Sequence, residues 1–280
     1  MGRDEFPVSV MCRVLGVARA AFYAWVSNPL RPRQQYRQEL ARKIQQIHQE
    51  PFMDTYGSPR ITKELIARGV TVSKNTVAHV MKEAGLRADC PKRFVPCTTD
   101  SNHDHPVAPN KLDRDFTAAG PNRKWLADIT YIPTREGWLY LAGVLDCHSR
   151  KIVGWSMDET MKAELVIDAL KMALDRRRPP AGLLHHSDRG SQYASEAYQS
   201  LLAGHGIECS MSRTGNCYDN AMKESFWSTL KREAIRDQVF QTIAEARATV
   251  FEYIEVFYNR KRRHSSLGYV SPETFEAALN

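Results

Sequence analysis

The sequence predicts a mixed α/β core carried behind all-α units, and three observations lead there. Up to residue 86 the apolar residues recur at helical spacing in short segments that stop at glycine or proline. From Lys124 the period shortens to apolar runs separated by two- or three-residue turns. Beyond Lys162, helical segments and short apolar runs alternate. At 280 residues and 42% hydrophobic content the chain can bury a large core and smaller ones beside it.

Bulk properties narrow the class only slightly. Thirty-nine Lys and Arg against 32 Asp and Glu give a net charge of +7, compatible with a polyanionic partner such as nucleic acid but shared by many ordinary proteins. The six cysteines contain no CxxC pair and are too sparse to staple the chain, which suggests a reducing cytosol. The start, "MGRDEFPVSVMCRVLG", interrupts its apolar residues with charge, and no later stretch is long enough to span a bilayer, so neither export nor membrane insertion is expected.

Residues 1–32 read as an N-terminal helical unit of helix-turn-helix type. "VSVMCRVLG" and "ARAAFYAWV" break at Gly16, and Val8, Met11, Leu15, Phe22 and Trp25 are expected to form one apolar face. Residues 33–86 then give a basic helix, with Leu40, Ile44 and Ile47 on one side and Pro51 as its stop, followed by a helix pair. Ser58 and Pro59 start the first helix of that pair, Gly69 ends it, Ser73 caps the second and Gly85 closes it. Lys74, Asn75, His79 and Lys82 fall on the second helix. The pair is either a DNA-binding helix-turn-helix or a structural hairpin with a solvated basic face. Residues 87–123, polar and Pro-rich, read as a linker. Cys90, Cys97, His103 and His105 within it match no usual zinc spacing and are taken as incidental.

The α/β core is expected over 124–240, completed by a C-terminal helix and basic tail over 241–280. "KWLADITYIPT", "WLYLAGVLDCHS" and "IVGWSMDET" form an antiparallel meander turning at "REG" and "RK". A helix from Lys162 to Arg177 buries Leu165, Ile167, Ala169, Leu170, Met172 and Leu174; "GLLHHSD" is a strand, Ser195 to His205 a helix, and "IECSMS" a fifth strand. Helices from Asp219 to Arg232 and from Thr242 to Arg260 close the series. Three meander strands followed by helix, strand, helix, strand, helix is the order of the ribonuclease H fold, a five-stranded mixed sheet whose first and fourth strands are parallel neighbours.

That order makes Asp128, in the first strand, a neighbour of Asp188, at the end of the fourth. A mid-strand carboxylate among apolar residues costs several kcal/mol unless compensated. A divalent cation compensates it, since paired carboxylates are oxygen ligands suited to Mg²⁺. Glu224, on the helix "DNAMKESFWSTLKRE", is the candidate for a third ligand. Two ions held by such a trio activate a water or a 3′-hydroxyl and stabilise the leaving oxygen of an in-line phosphoryl transfer. Arg189 offers a donor fork to phosphate, and Gly190 permits close backbone approach.

On "WLADITYI", "HSDRGSQY", "SRTGNCYDNAMKESFWSTLKRE" and the tail "YNRKRRHSSLGYVSPETF", the chain resembles the catalytic subunit, OrfB, of bacterial insertion-sequence transposases encoded in two overlapping reading frames, relatives of retroviral integrases. "VSVMCRVLGVARAAFYAW" and "YGSPRITKELIARG" extend the resemblance close to full length. It implies that Asp128, Asp188 and Glu224 are the metal-binding DDE residues, with Mg²⁺ or Mn²⁺ as cofactor and two ions per site. It also implies that Lys231, matching a basic residue of the family, contacts the DNA end. The implied reaction is cleavage at the element's end, followed by attack of the freed 3′-hydroxyl on another phosphodiester. The implied partners are double-stranded DNA, as terminal repeats and as target, the OrfA or OrfAB product of the same element, and further copies of the chain in a multimer on DNA. The implied location is the bacterial cytoplasm, on the nucleoid.

Other residues carry plainer readings. Asp146 is expected to cap the turn into "SRK", because Asp128 lies closer to Asp188. His185 is read as structural, and His186, part of the family motif, as supporting. Trp125, Tyr131, Trp138, Tyr140 and Trp155 are expected in the core rather than stacked on bases. Arg260, Arg262 and Arg263 are read as DNA-backbone contacts. Asn216, Asp219 and Asn220 are expected to shape the loop before Glu224. Two other functions stay open on these residues: a DNA-binding regulator with a degenerate catalytic domain, and a ribonuclease H-type nuclease. Three intact carboxylates argue against the first, and the N-terminal helical units and the tail against the second.

Overall fold

The computed structural model describes residues 6–27, 31–89, 107–212, 221–236 and 238–279. The chain divides into two units, residues 1–88 and 89–280. Cys90, Cys97, His103, His105, Asn216, Cys217, Asp219 and Asn220 lie outside the described residues.

In the first unit, α1 (Val8–Val14) and α2 (Arg19–Ser27) meet around Gly16, which takes the left-handed φ of +64° that the turn requires. The apolar face expected there is only partly covered. Leu15 is 73% and Trp25 63% exposed, and Cys12 is the one buried residue of the two helices. Two short helices have too little mutual surface to cover five large side chains. The core of this unit forms instead among α3 (Pro32–His48), α4 (Ser58–Ala67) and α5 (Lys74–Glu83). There Leu40, Ile44, Ile47, Ile61, Leu65, Val77 and Val80 are buried. The Ser73 hydroxyl caps α5 by accepting the Thr76 N–H at 3.1 Å.

The second unit is built on a sheet of strand order β3-β2-β1-β4-β5. β1 (Lys124–Thr134), β2 (Gly137–Asp146) and β3 (Ile152–Asp158) run antiparallel, while β4 (Leu184–Ser187) and β5 (Glu208–Met211) add on parallel to β1. This is the ribonuclease H order. One face carries Trp125, Ala127 and Ile129 against α6 (Ala163–Arg177), with Tyr193 of α7 (Ser191–Ala194) and Tyr198 of α8 (Glu196–Gly204). A Cβ on Gly154 of β3 would lie 2.2 Å from the Ala169 carbonyl oxygen of α6, so only glycine lets helix and strand approach this closely. The buried side of α6 includes Val166 and Ala173, with Ile167 and Met172 half-buried, because the helical period carries the stripe through 166, 169, 170 and 173. The other face is covered by α9 (Ala221–Leu230) and α10 (Ile243–Phe251), whose ends continue into wider turns at Lys231–Ile235 and Glu252–Tyr258.

Residues 107–123 of the stretch read as a linker pack on this core. Leu112 is buried, the Ser210 hydroxyl of β5 accepts from the Lys111 N–H at 2.9 Å, and Asn122 N–H donates to Asp146 at 2.6 Å. Its polar composition misled because its backbone, rather than an apolar face, makes the attachments. The C-terminal tail, ending in α11 (Pro272–Ala277), is also fastened to the sheet. The Asn259 side chain accepts from Ile152 N–H and donates to Ile152 carbonyl, both at 2.9 Å, next to the register shift at Val144/Leu145.

Candidate active site

β1 and β4 pair in parallel at Lys124↔Leu184, Trp125↔His185 and Leu126↔His186. Asp128 lies two residues past the last paired position on β1, and Asp188 two residues past its partner, one beyond the end of β4. Continuation of that register puts the two half-buried carboxylates in neighbouring positions. Carboxylates so placed favour a cation between them.

Local sequence holds each carboxylate in place. Asp188 Oδ1 accepts the Gly190 N–H at 2.9 Å, and a Cβ on Gly190 would sit 3.1 Å from that oxygen. Asp128 Oδ2 accepts the Trp227 Nε1–H at 2.9 Å. Tyr193, on α7, is buried near enough to feel both charges, and its hydroxyl has no hydrogen-bond partner among the described residues. Burial, then the charges of Tyr198, Asp128 and Asp188, push this phenol well above its ordinary pKa, so it is a neutral donor beside a negative site. Paired carboxylates with one buried hydroxyl left over fit a hard, hydrated divalent ion. Glu224 stands exposed in the first turn of α9. Among the described residues no three Asp, Glu, His or Cys side chains converge closely enough to hold one ion. The β1–β4 register directs Asp128 and Asp188 toward the same end of the paired strands, and no three-residue cluster that includes Glu224 forms among the described residues.

The plainer readings divide. Asp146 is a turn cap: its Oδ1 accepts from His148 and Ser149 N–H at 2.9 and 3.2 Å, and it is fully buried. His185 meets the Tyr198 hydroxyl at 3.0 Å, and His186 the Ser210 hydroxyl at 2.8 Å. Of the aromatics expected in the core, Trp125 and Trp155 are buried and Tyr131 and Tyr140 half-buried, while Trp138 is 50% exposed at the turn end of β2. Strand alternation assigns it a face, but that near the turn the face is uncovered is a property of the assembled sheet.

The candidate DNA contacts divide in the same way. Lys74, Asn75 and His79 are exposed on α5, with His79 3.3 Å from Glu83. Lys231 places its ammonium 4.9 Å from the centre of the Tyr131 ring. Arg189 is half-buried and donates through Nε to the Ser212 carbonyl at 2.6 Å. Arg260 is exposed, 3.6 Å from Glu273, and Arg263 donates to the Tyr269 carbonyl at 3.0 Å. Arg262 is not a DNA contact. It is 4% exposed and gripped by Glu233 through two 2.7 Å bonds, Nε to Oε2 and Nη2 to Oε1. Sequence reasoning missed Tyr193 and Trp227. The available signal for Trp227 was its place three residues after Glu224, hence on the same helix face.

The chain is similar to known proteins. Integrase core domain models match residues 118–217 and 205–272, and an HTH-like domain matches residues 35–94. The uncharacterized 31 kDa protein of insertion element IS600 from Shigella sonnei is 47% identical over 265 residues, 95% of this chain and 97% of that protein. Transposase InsF for insertion sequence IS3A of Escherichia coli (strain K12) is 47% identical over 274 residues, 97% of this chain and 94% of that protein. Among solved structures, the HTLV-2 integrase catalytic core domain in complex with magnesium is 15% identical, covers 57% of this chain and 99% of that chain, and aligns with a TM-score of 0.44.

Proposed function

The chain belongs to the transposases of the IS3 insertion-sequence family and is a DDE transposase acting on DNA, and from that premise we propose that Asp128, Asp188 and Glu224 are its catalytic carboxylates. The observation that carries this reading is the parallel pairing of β1 with β4, whose last paired positions, Leu126 and His186, each lie two residues before an aspartate, Asp128 and Asp188. Asp128, Asp188 and Glu224 would be the residues that hold Mg²⁺ or Mn²⁺, two ions per site. Such cations supply Lewis-acid stabilisation of the attacking and leaving oxygens in an in-line displacement. The protein's own part is to fix the carboxylates, through Gly190 and Trp227, and to hold first the phosphate at the element's end, where water breaks the P–O3′ bond and leaves a 3′-hydroxyl and a 5′-phosphate, and then a second phosphodiester, which that 3′-hydroxyl attacks. In the second step the new ester bond replaces the one broken, the displaced 3′-oxygen leaves as a hydroxyl, and no covalent protein intermediate is needed.

The residue 33–86 domain binds duplex DNA, with Lys74 and Asn75 in the first turn of α5, the end of a recognition helix that reaches base edges. Lys231 and the exposed Arg260 contact phosphates. The 124–240 core, with the 241–280 tail, carries the chemistry. The protein works in the bacterial cytoplasm on the nucleoid, as a multimer on its terminal repeats and with the OrfA or OrfAB product.

Labelled duplexes ending in the element's own terminal repeats, with and without OrfA, test this reading. Mg²⁺ is expected to yield cleaved and joined products that EDTA abolishes; tight DNA binding without cleavage in either set favours a degenerate regulator. Lys231→Ala is expected to weaken binding about equally across sequences and to lower the slope of log affinity against log salt by about 1, measured by fluorescence anisotropy at several salt concentrations, whereas Lys74→Ala is expected to weaken binding to the terminal repeats more than to unrelated duplexes.

A further inference from the structure

Trp227 has two neighbours that together define its task. Its Nε1–H donates to Asp128 Oδ2 at 2.9 Å, and the far corner of its ring, Cη2, lies 3.0 Å from where a Cβ on Gly143 would stand. Gly143 is the β2 residue directly opposite Asp128 in the β1–β2 register. Paired positions on adjacent antiparallel strands are about 5 Å apart, close to the span of an indole from its N–H to its benzo corner. The missing side chain at Gly143 thus leaves room for the benzo corner of the ring while its donor reaches the carboxylate on the neighbouring strand. Phe226, with its centroid 4.8 Å away, packs beside the ring, and Trp227 is only 8% exposed.

We propose that Trp227 is a positioning residue that fixes the Asp128 carboxylate for metal binding and ties the Glu224 helix to that same carboxylate. This rests on the reading of Asp128 as a metal ligand. An indole N–H is a donor only, so it favours one orientation of an acceptor and cannot be satisfied by a neighbouring cation. Buried tryptophans usually find such an acceptor, but here the acceptor is a mid-strand carboxylate beside a second one. Partners of this kind orient ligating carboxylates, and their loss typically costs 10–100-fold in metal affinity or activity. Glu224 sits three residues before Trp227 on one face of α9, so one hydrogen bond sets both the orientation of Asp128 and the line along which Glu224 approaches it.

The test compares the full-length protein with Trp227→Phe, which keeps the ring and removes the donor. Mn²⁺ affinity is read directly from the free-ion electron paramagnetic resonance signal, alongside thermal melting and DNA binding. Trp227→Phe is expected to melt and bind DNA much as the parent does, with Mn²⁺ affinity about tenfold or more weaker. Gly143→Ala attacks the same bond from the other side: the new methyl meets Cη2 and must push the ring by a few tenths of an ångström, and a weaker Mn²⁺ affinity of the same kind, though smaller, is expected. A folded Trp227→Phe, or failing that a folded Gly143→Ala, with the parent's Mn²⁺ affinity overturns the inference. Asp128→Asn separates it from its premise. If that variant also binds Mn²⁺ normally, Asp128 is no ligand and the underlying reading falls. If Asp128→Asn loses the ion while Trp227→Phe keeps it, only the positioning role falls.

Discussion

Asp128→Asn, Asp188→Asn and Glu224→Gln are each expected to reduce joined product at least about 10³-fold, the scale on which removing one member of a catalytic unit removes most of what the unit does. Asn and Gln keep the size of the side chain while removing its charge, so the sheet has no packing reason to respond. For the two aspartates stability should move the other way. Under the proposed reading Asp128 and Asp188 face one another just past the paired ends of β1 and β4, so in the metal-free fold they repel, and neutralising either one relieves the repulsion. Thermal melting in EDTA should therefore show a midpoint equal to or above the parent's for both Asn variants, with strand transfer lost. A variant that loses activity together with several degrees of stability points to a structural carboxylate instead. Glu224 is exposed, and Glu224→Gln should leave the melt unchanged.

The second large effect lies away from the chemistry. Arg262→Met is expected to destabilise the second unit by about 3–5 kcal/mol, because it leaves the fully buried Glu233 without its counter-charge. In a domain of this size that lowers the melting midpoint by roughly 10 °C or more. The pair is bidentate, and Tyr253 donates a third bond to Glu233 Oε2 at 2.9 Å. Burial works against the Arg262 charge, but Glu233 outweighs it and keeps the guanidinium above its ordinary pKa. The double variant Glu233→Met, Arg262→Met should recover most of the loss, since an apolar pair of similar volume needs no desolvation. Urea or thermal unfolding of the three proteins decides the matter. Equal instability of single and double variants would mean that packing, not charge pairing, holds the tail.

Both effects bear on how the tail motif "YNRKRRHSSLGY" is understood. Its run of basic residues reads as a surface for DNA, yet Asn259 bridges to the Ile152 backbone and Arg262 is locked to Glu233. Arg260 remains exposed in the same run. Which arginine of a cluster turns inward depends on a partner 29 residues away in the chain, and a local pattern carries no such information. Trp138 is a similar case, because alternation assigns its face without saying whether anything covers that face.

The sequence by itself determined the element order and the helix pair before it, because apolar periodicity, caps and turn residues act over a few neighbours and the strand boundaries followed from them. The strand "KWLADITYIPT" is β1 from first residue to last. Only the tertiary structure decided what surrounds the proposed carboxylates and which basic residues turn inward. The Trp227 donor to Asp128, the bare Gly143 beside its ring and the Arg262–Glu233 pair join residues distant in the chain, and the Tyr193 hydroxyl is buried by packing alone. Each depends on the spacing and register of packed elements, which exist only once the sheet and its two helical layers have closed on one another.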